Sequence, residues 1–261
     1  MKTKSLQIIN FISFVLVIIV NILANALPIN DKTTGELSAQ YPNLFVPAGI
    51  TFSIWSVIYI FMGIFAVSQL KGFGKNAKAP GAVLKIGPHF MLASLANISW
   101  IFSWHYEQVG LSLIIMVFFL LELIIIYRSL GIGQNEVSKE RFWRYQFFFS
   151  LYLGWLSIAT VANFTTFLVD QGYSPGEPME QILASVMIAI AVLLAVFMLI
   201  RNKDVVFALV VVWALAGIVY KRYYLADEVY YDVIASASTG IVIVLITIVI
   251  QSKKWLRLWN N

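Results

Sequence analysis

The stretch YPNLFVPAGITFSIWSVIYIFMG, residues 41–63, is the most informative part of the chain, because a nearly uncharged loop continues directly into a long apolar helix. Pro42 and Pro47 restrain the loop, since proline fixes one backbone dihedral and lacks an amide donor. In the helix, the spacing i, i+4, i+7 places three large side chains on one face: Trp55, Tyr59 and Met62. The pattern predicts a structured lid above an aromatic wall, the roof and first side of a binding cavity.

The composition places the chain among integral membrane proteins. Of its 261 residues 60% are hydrophobic and only 12% are charged, and the mean hydropathy is +0.83. A soluble protein of this size would need a more polar surface. The chain has no cysteine and two histidines, which excludes disulfides and thiolate chemistry and leaves no expectation of a metal site. A soluble phosphate-handling domain and a Gly-rich phosphate loop are also missing from the sequence.

The hydrophobic pattern predicts an all-α bundle of about eight transmembrane spans. A helix needs about 20 apolar residues to cross the hydrocarbon region of a bilayer. Runs of about that length are separated by polar, Gly- or Pro-bearing connections. They cover residues 6–27, 51–70, 86–106, 109–130, 143–169, 180–200, 204–221 and 232–251.

The basic residues predict the orientation of these spans. With both chain ends in the cytoplasm, the inner segments hold fifteen of the 18 Lys and Arg residues and the outer segments hold three: Lys32, Lys221 and Arg222. Cytoplasmic connections of membrane proteins carry such an excess. We therefore expect a multi-pass protein of the inner (cell) membrane with cytoplasmic termini. Because the basic residues form no single patch, the net charge of +5 indicates topology rather than a nucleic-acid partner.

The N-terminus has a second interpretation. Lys2 and Lys4, an apolar run and the small residues around Asn25 resemble a cleavable signal peptide. The run is longer than most signal sequences, which favours retention as a first helix. Cleavage would leave seven spans.

Two further helix faces carry aromatic and amide side chains in the middle to outer half of the membrane, beneath the lid. One face comprises Asn97, Trp100 and Trp104, and the other comprises Trp155, Ala159, Ala162 and Asn163. Such faces suit a flat, largely apolar ligand with a few polar groups. Each residue alone also fits interface anchoring or helix packing. Their convergence under one lid favours a cavity.

At these residues the chain resembles the TspO/MBR family, the tryptophan-rich sensory proteins related to the mitochondrial translocator protein. The similarity lies in three segments. Pro47-Ala48-Gly49-x-x-Phe52-x-x-Trp55-x-x-x-Tyr59 resembles the family's start of its second helix, Leu95-Ala96-Asn97-x-x-Trp100 its third helix, and Tyr152-Leu153-x-Trp155-x-x-x-Ala159-x-x-x-Asn163 its fifth. Departures include Leu151 and Ala48 where the family has proline, and Ala162 where it has leucine.

The resemblance covers about residues 6–169, and the last three apolar runs lie outside it, so we expect two parts. Residues 1–170 would form a five-helix ligand-binding domain with a lid loop at residues 28–50, and residues 171–261 a three-helix extension. By resemblance the cavity would bind a porphyrin such as protoporphyrin IX or haem, or a similar planar hydrophobic molecule, for sensing, regulation or transport. No cofactor would be required, and a homodimer is one oligomeric state left open. The expected ligand-binding residues are Phe45, Pro47, Phe52, Trp55, Tyr59, Asn97, Trp100, Trp104, Trp155, Ala159 and Asn163.

Two alternative functions stay open at this point. Glu122 is the one carboxylate well inside a predicted span, where an acid is costly and often functional, so it is a candidate proton-coupling group of a secondary transporter. Some relatives are associated with light-dependent porphyrin degradation, which by resemblance would involve Trp55 and Trp155. The residues themselves supply no acid, base, nucleophile or metal site, so we assign no catalytic residue.

Overall fold

The computed structural model describes residues 3–27, 29–70, 81–134 and 138–259, and of residues 252–259 only the backbone. Within these ranges the protein is all-helical. The first five long helices are α1 (Thr3–Ala26), α3 (Ile54–Leu70), α5 (His89–His105), α6 (Val109–Leu130) and α8 (Phe147–Asp170). Three more follow as α9 (Met179–Asn202), α10 (Val205–Tyr220) and α11 (Tyr231–Trp259).

Shorter helices complete the fold. The lid contains a 3-10 helix (Ile29–Asp31), α2 (Thr34–Ala39) and a second 3-10 helix (Gly49–Ser53) that leads into α3. The other two are α4 (Gly81–Ile86), which precedes α5, and α7 (Lys139–Arg141). Two wider π-helical turns join long helices, Phe142–Gln146 before α8 and Lys221–Leu225 after α10.

Eight long helices coincide with the eight predicted spans. Among the described residues, seven helical stretches are long and apolar enough to cross a membrane. The remaining helix, α5, has 17 residues, which corresponds to about 25 Å of rise. It is short because Pro88 and Gly87 interrupt the chain before it, and it packs between α1 and α6. The protein is therefore a multi-pass helical membrane protein.

The polar and apolar faces of the helices explain the packing. α8 is the most enclosed span and contacts α3, α6 and α10. Outward-facing positions carry large apolar residues such as Ile12 on α1, Leu193 on α9 and Ile246 on α11, as expected for surfaces in contact with lipid. The three C-terminal helices pack against one another, and α10 also joins them to α8 and to the lid.

The helix ends have local causes. Gly131 ends α6 in the left-handed conformation at φ 64°, which glycine adopts without strain. Asp204 begins α10, because its carboxylate accepts the amide N–H of Phe207 at 2.9 Å. The same carboxylate accepts the hydroxyl of Tyr127 at 2.8 Å, so this cap also ties α6 to the C-terminal helices.

Candidate ligand-binding cavity

A cavity lies beneath the lid, between α3, α5, α6 and α8. It holds about 540 Å³ of empty space, including solvent at its mouth. Its walls are mostly apolar and aromatic, with a few hydroxyl and amide groups. The lining residues are Thr34, Ser38, Val46, Pro47, Phe52, Trp55, Trp100, Trp104, Met116, Trp155, Ile158, Ala159, Ala162, Asn163 and Thr166.

Aromatic rings form two walls of the cavity. On one side the rings of Trp55 and Trp155 meet edge to face with centroids 6.1 Å apart, and Phe52 meets Trp155 in the same way at 5.9 Å. On another side Trp100 and Trp104 stack with centroids 5.7 Å apart and planes 17° from parallel. These geometries are favourable for aromatic pairs and hold the rings in fixed orientations. The cavity therefore offers preformed flat surfaces.

Two of these tryptophans carry unused hydrogen-bond donors. The indole N–H groups of Trp100 and Trp155 are buried and have no hydrogen-bond partner among the described residues. By contrast, the indole N–H of Trp104 donates to the backbone carbonyl of Thr34 at 3.3 Å. A buried donor without a partner is costly, and most native proteins avoid it. An acceptor atom of a bound molecule would remove that cost.

The cavity is narrow in this conformation. Only about 50 Å³ can be reached by the centre of a water molecule. Small-molecule sites usually have about 300–1,000 Å³. A drug-sized ligand would therefore need the lid or the ring walls to move outward.

The lid is folded and anchored at the end of α5. Thr33 and Glu36 form a reciprocal capping box that begins α2. His105 is fully buried and lies beneath this part of the lid: its Nδ1 donates to the carbonyl of Ile29 at 3.0 Å, and its Nε2 lies 3.1 Å from the hydroxyl of Thr34. Both ring nitrogens are thus engaged in holding the lid, and neither is free to bind a metal.

Electrostatics add to the order of the lid. Hydrogen bonds from the backbone N–H and the hydroxyl of Thr33 lower the pKa of the Glu36 carboxyl below its ordinary value. Burial raises the pKa of Tyr41, and the carboxylates of Glu107 and Asp170 raise it further. The ring of Tyr41 packs against that of Trp104 with centroids 6.2 Å apart, so the lid also contacts this tryptophan of the cavity wall.

One known protein family matches nearly the whole chain. The sequence model of the family described as TSPO-like protein matches residues 7–250. The chain belongs to this family. Neither the curated proteins nor the solved structures gave a match. The family match extends from α1 into α11, so it includes the C-terminal helices of this TSPO-like protein as well as its first five long helices.

The structure brings most of the expected binding residues together. Eight of them line the single cavity described above: Pro47, Phe52, Trp55, Trp100, Trp104, Trp155, Ala159 and Asn163. Three expected residues do not line it. Phe45 is buried inside the lid, and the hydroxyl of Tyr59 and the amide of Asn97 lie in a hydrogen-bond network below.

That network joins four helices of the TSPO-like protein. The amide of Asn21 donates to the side-chain oxygen of Asn97 at 2.8 Å and accepts the hydroxyl of Tyr59 at 2.6 Å. Asn97 in turn donates to the hydroxyl of Tyr152 at 3.3 Å. The helices α1, α3, α5 and α8 each contribute one side chain to this network. The network therefore holds these four helices together at the floor of the cavity, below the tryptophans.

Sequence patterns did not indicate several residues of the site. Met116 and Ile158 lack any signal beyond their apolar character, which every lipid-facing position shares. Thr34 and Ser38 reach the cavity from α2, and the spacing Thr33-x-x-Glu36 is a capping signature that would have predicted this helix.

Glu122 lies apart from the cavity and has a partner that the sequence did not reveal. Its carboxylate is 2.7 Å from Nδ1 of His89, the first residue of α5. The carboxylate side chain is nearly buried, whereas the imidazole is about one-third exposed. The two residues are 33 positions apart, so only the packing of α5 on α6 brings them together.

Proposed function

We propose that this TSPO-like protein binds a planar, largely apolar ligand of the porphyrin type in the cavity beneath the lid, for sensing, regulation or transport. The observation that carries the proposal is the set of preformed tryptophan walls with two buried, unused indole N–H donors, those of Trp100 and Trp155. Flat rings would stack on the walls, and an acceptor group of the ligand would take up the donors.

Membership of the TSPO-like family supports this proposal, as do the edge-to-face and stacked ring geometries. We further propose that the protein lies in the inner membrane with both ends in the cytoplasm, as the fifteen-to-three distribution of basic residues indicates. In that orientation the lid lies on the outer side of the membrane, and the ligand reaches the cavity from there.

The proposal is tested by filling the cavity. Ala162 lines it, and a phenyl ring at this position would occupy space that the ligand needs. We expect Ala162→Phe to abolish saturable binding of protoporphyrin IX, followed through the porphyrin absorption band in detergent. Ala189→Phe adds the same ring at an exposed position of α9 and should bind as the native chain does. Equal binding by both variants would contradict the cavity assignment.

A second candidate function is proton-coupled transport of a small hydrophobic solute. The His89–Glu122 pair favours it, because a carboxylate and an imidazole in contact within a membrane span can hold and release one proton. Intramembrane ionisable groups are often parts of proton relays. Neither His89 nor Glu122 lines the cavity, so the two functions can be separated by mutation.

The transport candidate is tested in proteoliposomes with an imposed pH gradient. Uptake of a hydrophobic fluorescent solute should stop with Glu122→Gln, which keeps the shape of the side chain but cannot ionise. Glu140→Gln removes an exposed carboxylate near α8 and serves as the matched control. If both variants behave alike, proton coupling through Glu122 is excluded, whereas porphyrin binding is expected to persist in either.

A further inference from the structure

We propose that α10 and the wide turn after it regulate access to the cavity by clamping the lid shut. The inference rests on the proposed function, because it assigns a means of regulation to that same site. The clamp comprises Trp213 and Gly217 on α10 and Arg222 in the wide turn. The clamped segment, residues 43–51, contributes Val46 and Pro47 to the cavity roof.

Arg222 makes the strongest part of the clamp. Its guanidinium donates to three backbone carbonyls of the lid, those of Asn43 at 2.7 Å, Leu44 at 3.2 Å and Val46 at 3.3 Å. The side chain is only 7% exposed, and the ring of Tyr230 lies 5.9 Å from it. Hydrogen bonds from a charged donor are stronger than neutral ones, and a lysine cannot reproduce the planar fork.

A second contact brings the backbones of lid and helix together. The amide N–H of Ala48 donates to the carbonyl of Gly217 at 3.1 Å. A Cβ atom at position 217 would lie 2.0 Å from the hydroxyl of Thr51 and 3.0 Å from the ring of Pro47. Real Cβ atoms do not approach other atoms so closely, so only glycine allows the lid to lie this near α10.

A third contact holds the end of the lid. The indole N–H of Trp213 donates to the carbonyl of Thr51 at 2.9 Å, one residue before Phe52 at the cavity wall. The contacts lie on one turn of α10, from Trp213 to Gly217, and on the wide turn beyond it, and they engage the lid from Asn43 to Thr51. The cavity has only about 50 Å³ of water-accessible space, and this segment forms part of its roof, so lifting the segment would make room for a ligand.

Amide hydrogen exchange of the ligand-free protein tests the clamp without reference to any ligand. The amides of Phe45 and Val46 donate to the side-chain oxygen of Asn43 within the lid, and the amide of Ala48 donates to Gly217 on α10. In Arg222→Lys we expect these amides to exchange about tenfold faster, because the variant loses charge-assisted hydrogen bonds that hold the lid closed. Arg201→Lys is the matched control, because it makes the same substitution at an exposed arginine in the last turn of α9. Unchanged exchange in Arg222→Lys would overturn the clamp.

The steric contact supplies an independent variant. Gly217→Ala keeps the charge of Arg222 but forces the lid away from α10, so it should accelerate the same amides. Gly110→Ala is its control, since a Cβ there would meet only the ring of Phe167 at an ordinary 3.4 Å. If Arg222→Lys fails to fold, Gly217→Ala decides the question alone.

Access to the cavity is measured by cysteine labelling, because the native chain has no cysteine. Met116 lines the cavity and is 1% exposed, so a cysteine in Met116→Cys reacts with N-ethylmaleimide only when the lid opens. We expect labelling to be about tenfold faster when Arg222→Lys or Gly217→Ala is added. Faster lid exchange with unchanged labelling would overturn the regulatory role.

The outcomes separate this inference from the proposed function. Faster exchange and labelling in a protein that binds no protoporphyrin IX would sustain the clamp and disprove the porphyrin assignment. Saturable porphyrin binding with unchanged exchange and labelling would disprove the clamp and sustain the cavity. If both hold, the association and dissociation rates of protoporphyrin IX should both rise in Arg222→Lys.

Discussion

At the scale of single residues, the floor of the cavity depends on amide side chains that contact one another across helices. Asn21 and Asn97 are both nearly or fully buried, and each uses its amide group for a second partner as well, Tyr59 and Tyr152 respectively. In the interior of a membrane protein such groups find few alternative partners, so they specify which helix faces meet.

This pairing predicts a measurable coupling between Asn21 and Asn97. We expect each alanine substitution to destabilise the protein, and the double variant to lose less than the sum, with a coupling of about 0.6 kcal/mol and at most about 1.7 kcal/mol. The measurement is a double-mutant cycle of unfolding in detergent. Asn25→Ala, whose side chain donates to the carbonyl of Asn21 on its own helix, should show no coupling with Asn97→Ala. Strict additivity of Asn21→Ala and Asn97→Ala would contradict the network.

The sequence predicted the cavity walls at this scale but not the partners. Spacing alone places Asn97 and Trp100 on one helix face, and large aromatic residues distinguish that face from ordinary lipid-facing positions. Spacing cannot predict that Asn97 contacts Asn21 while Trp100 lines the cavity, because packing against other helices determines these directions. His89 and Glu122 illustrate the same limit, since their contact crosses from α5 to α6.

At the scale of elements, the lid helix α2 depends on its capping box. The Glu36 carboxylate accepts the Thr33 N–H at 2.7 Å, and these hydrogen bonds lower its pKa. A lowered pKa in the folded lid means that the stabilisation is present above the ordinary value of 4.5 and is lost as pH falls through the folded pKa. We therefore expect amide exchange in α2, corrected for its intrinsic pH dependence, to rise on acidification. Glu36→Gln should remove that pH dependence, and a persistent dependence in this variant would refute the assignment.

A second element-scale prediction concerns the turn after α6. Gly133 has φ 77°, and a Cβ there would lie 1.8 Å from the backbone oxygen of Asn202 at the end of α9. Gly172 has the same φ of 77° but open space around it. We expect Gly172→Ala to cost about 1–2 kcal/mol of stability, the strain of a left-handed alanine. Gly133→Ala should cost clearly more, because the backbones of the two turns must separate. Equal melting temperatures of the Gly133→Ala and Gly172→Ala variants would show that the turn after α6 does not contact the end of α9.

The elements themselves were largely predictable. Each of the eight apolar runs became a long helix, because length and hydropathy determine a membrane span before any partner is known. The lid was predicted as structured, but its contacts with α10 were not. Arg222 and Asn43 are 179 positions apart, and no local pattern relates a basic residue after one helix to a carbonyl of a distant loop.

At the scale of the whole molecule, the arrangement of basic residues predicts which connections face the cytoplasm. Labelling of single cysteines in whole cells tests this directly, since the native chain has none. Ser174→Cys lies in the exposed connection between α8 and α9 and should react with a membrane-impermeant maleimide. Ser138→Cys lies before α7 and should react only after permeabilisation. The reverse pattern would invert the topology, and labelling of both in intact cells would mean that α8 does not span the membrane.

The C-terminal helices connect the five-helix part of the molecule with the lid. They contact α8 through α10, and the same helix reaches the lid through Trp213, Gly217 and Arg222. The family match spans residues 7–250, so the lid, the cavity and most of the C-terminal helices lie within it.

The most direct test of the central claim is a titration of purified protein with protoporphyrin IX in the native chain and in a Trp100→Phe, Trp155→Phe double variant. Phenylalanine keeps an aromatic ring but removes the unused N–H donors. We predict saturable binding by the native chain and at least about tenfold weaker binding by the double variant, from the loss of about 1 kcal/mol per hydrogen bond. Trp143→Phe, at an exposed position away from the cavity, should bind like the native chain. Absence of saturable binding in folded native protein, or equal binding by all three, would contradict the account.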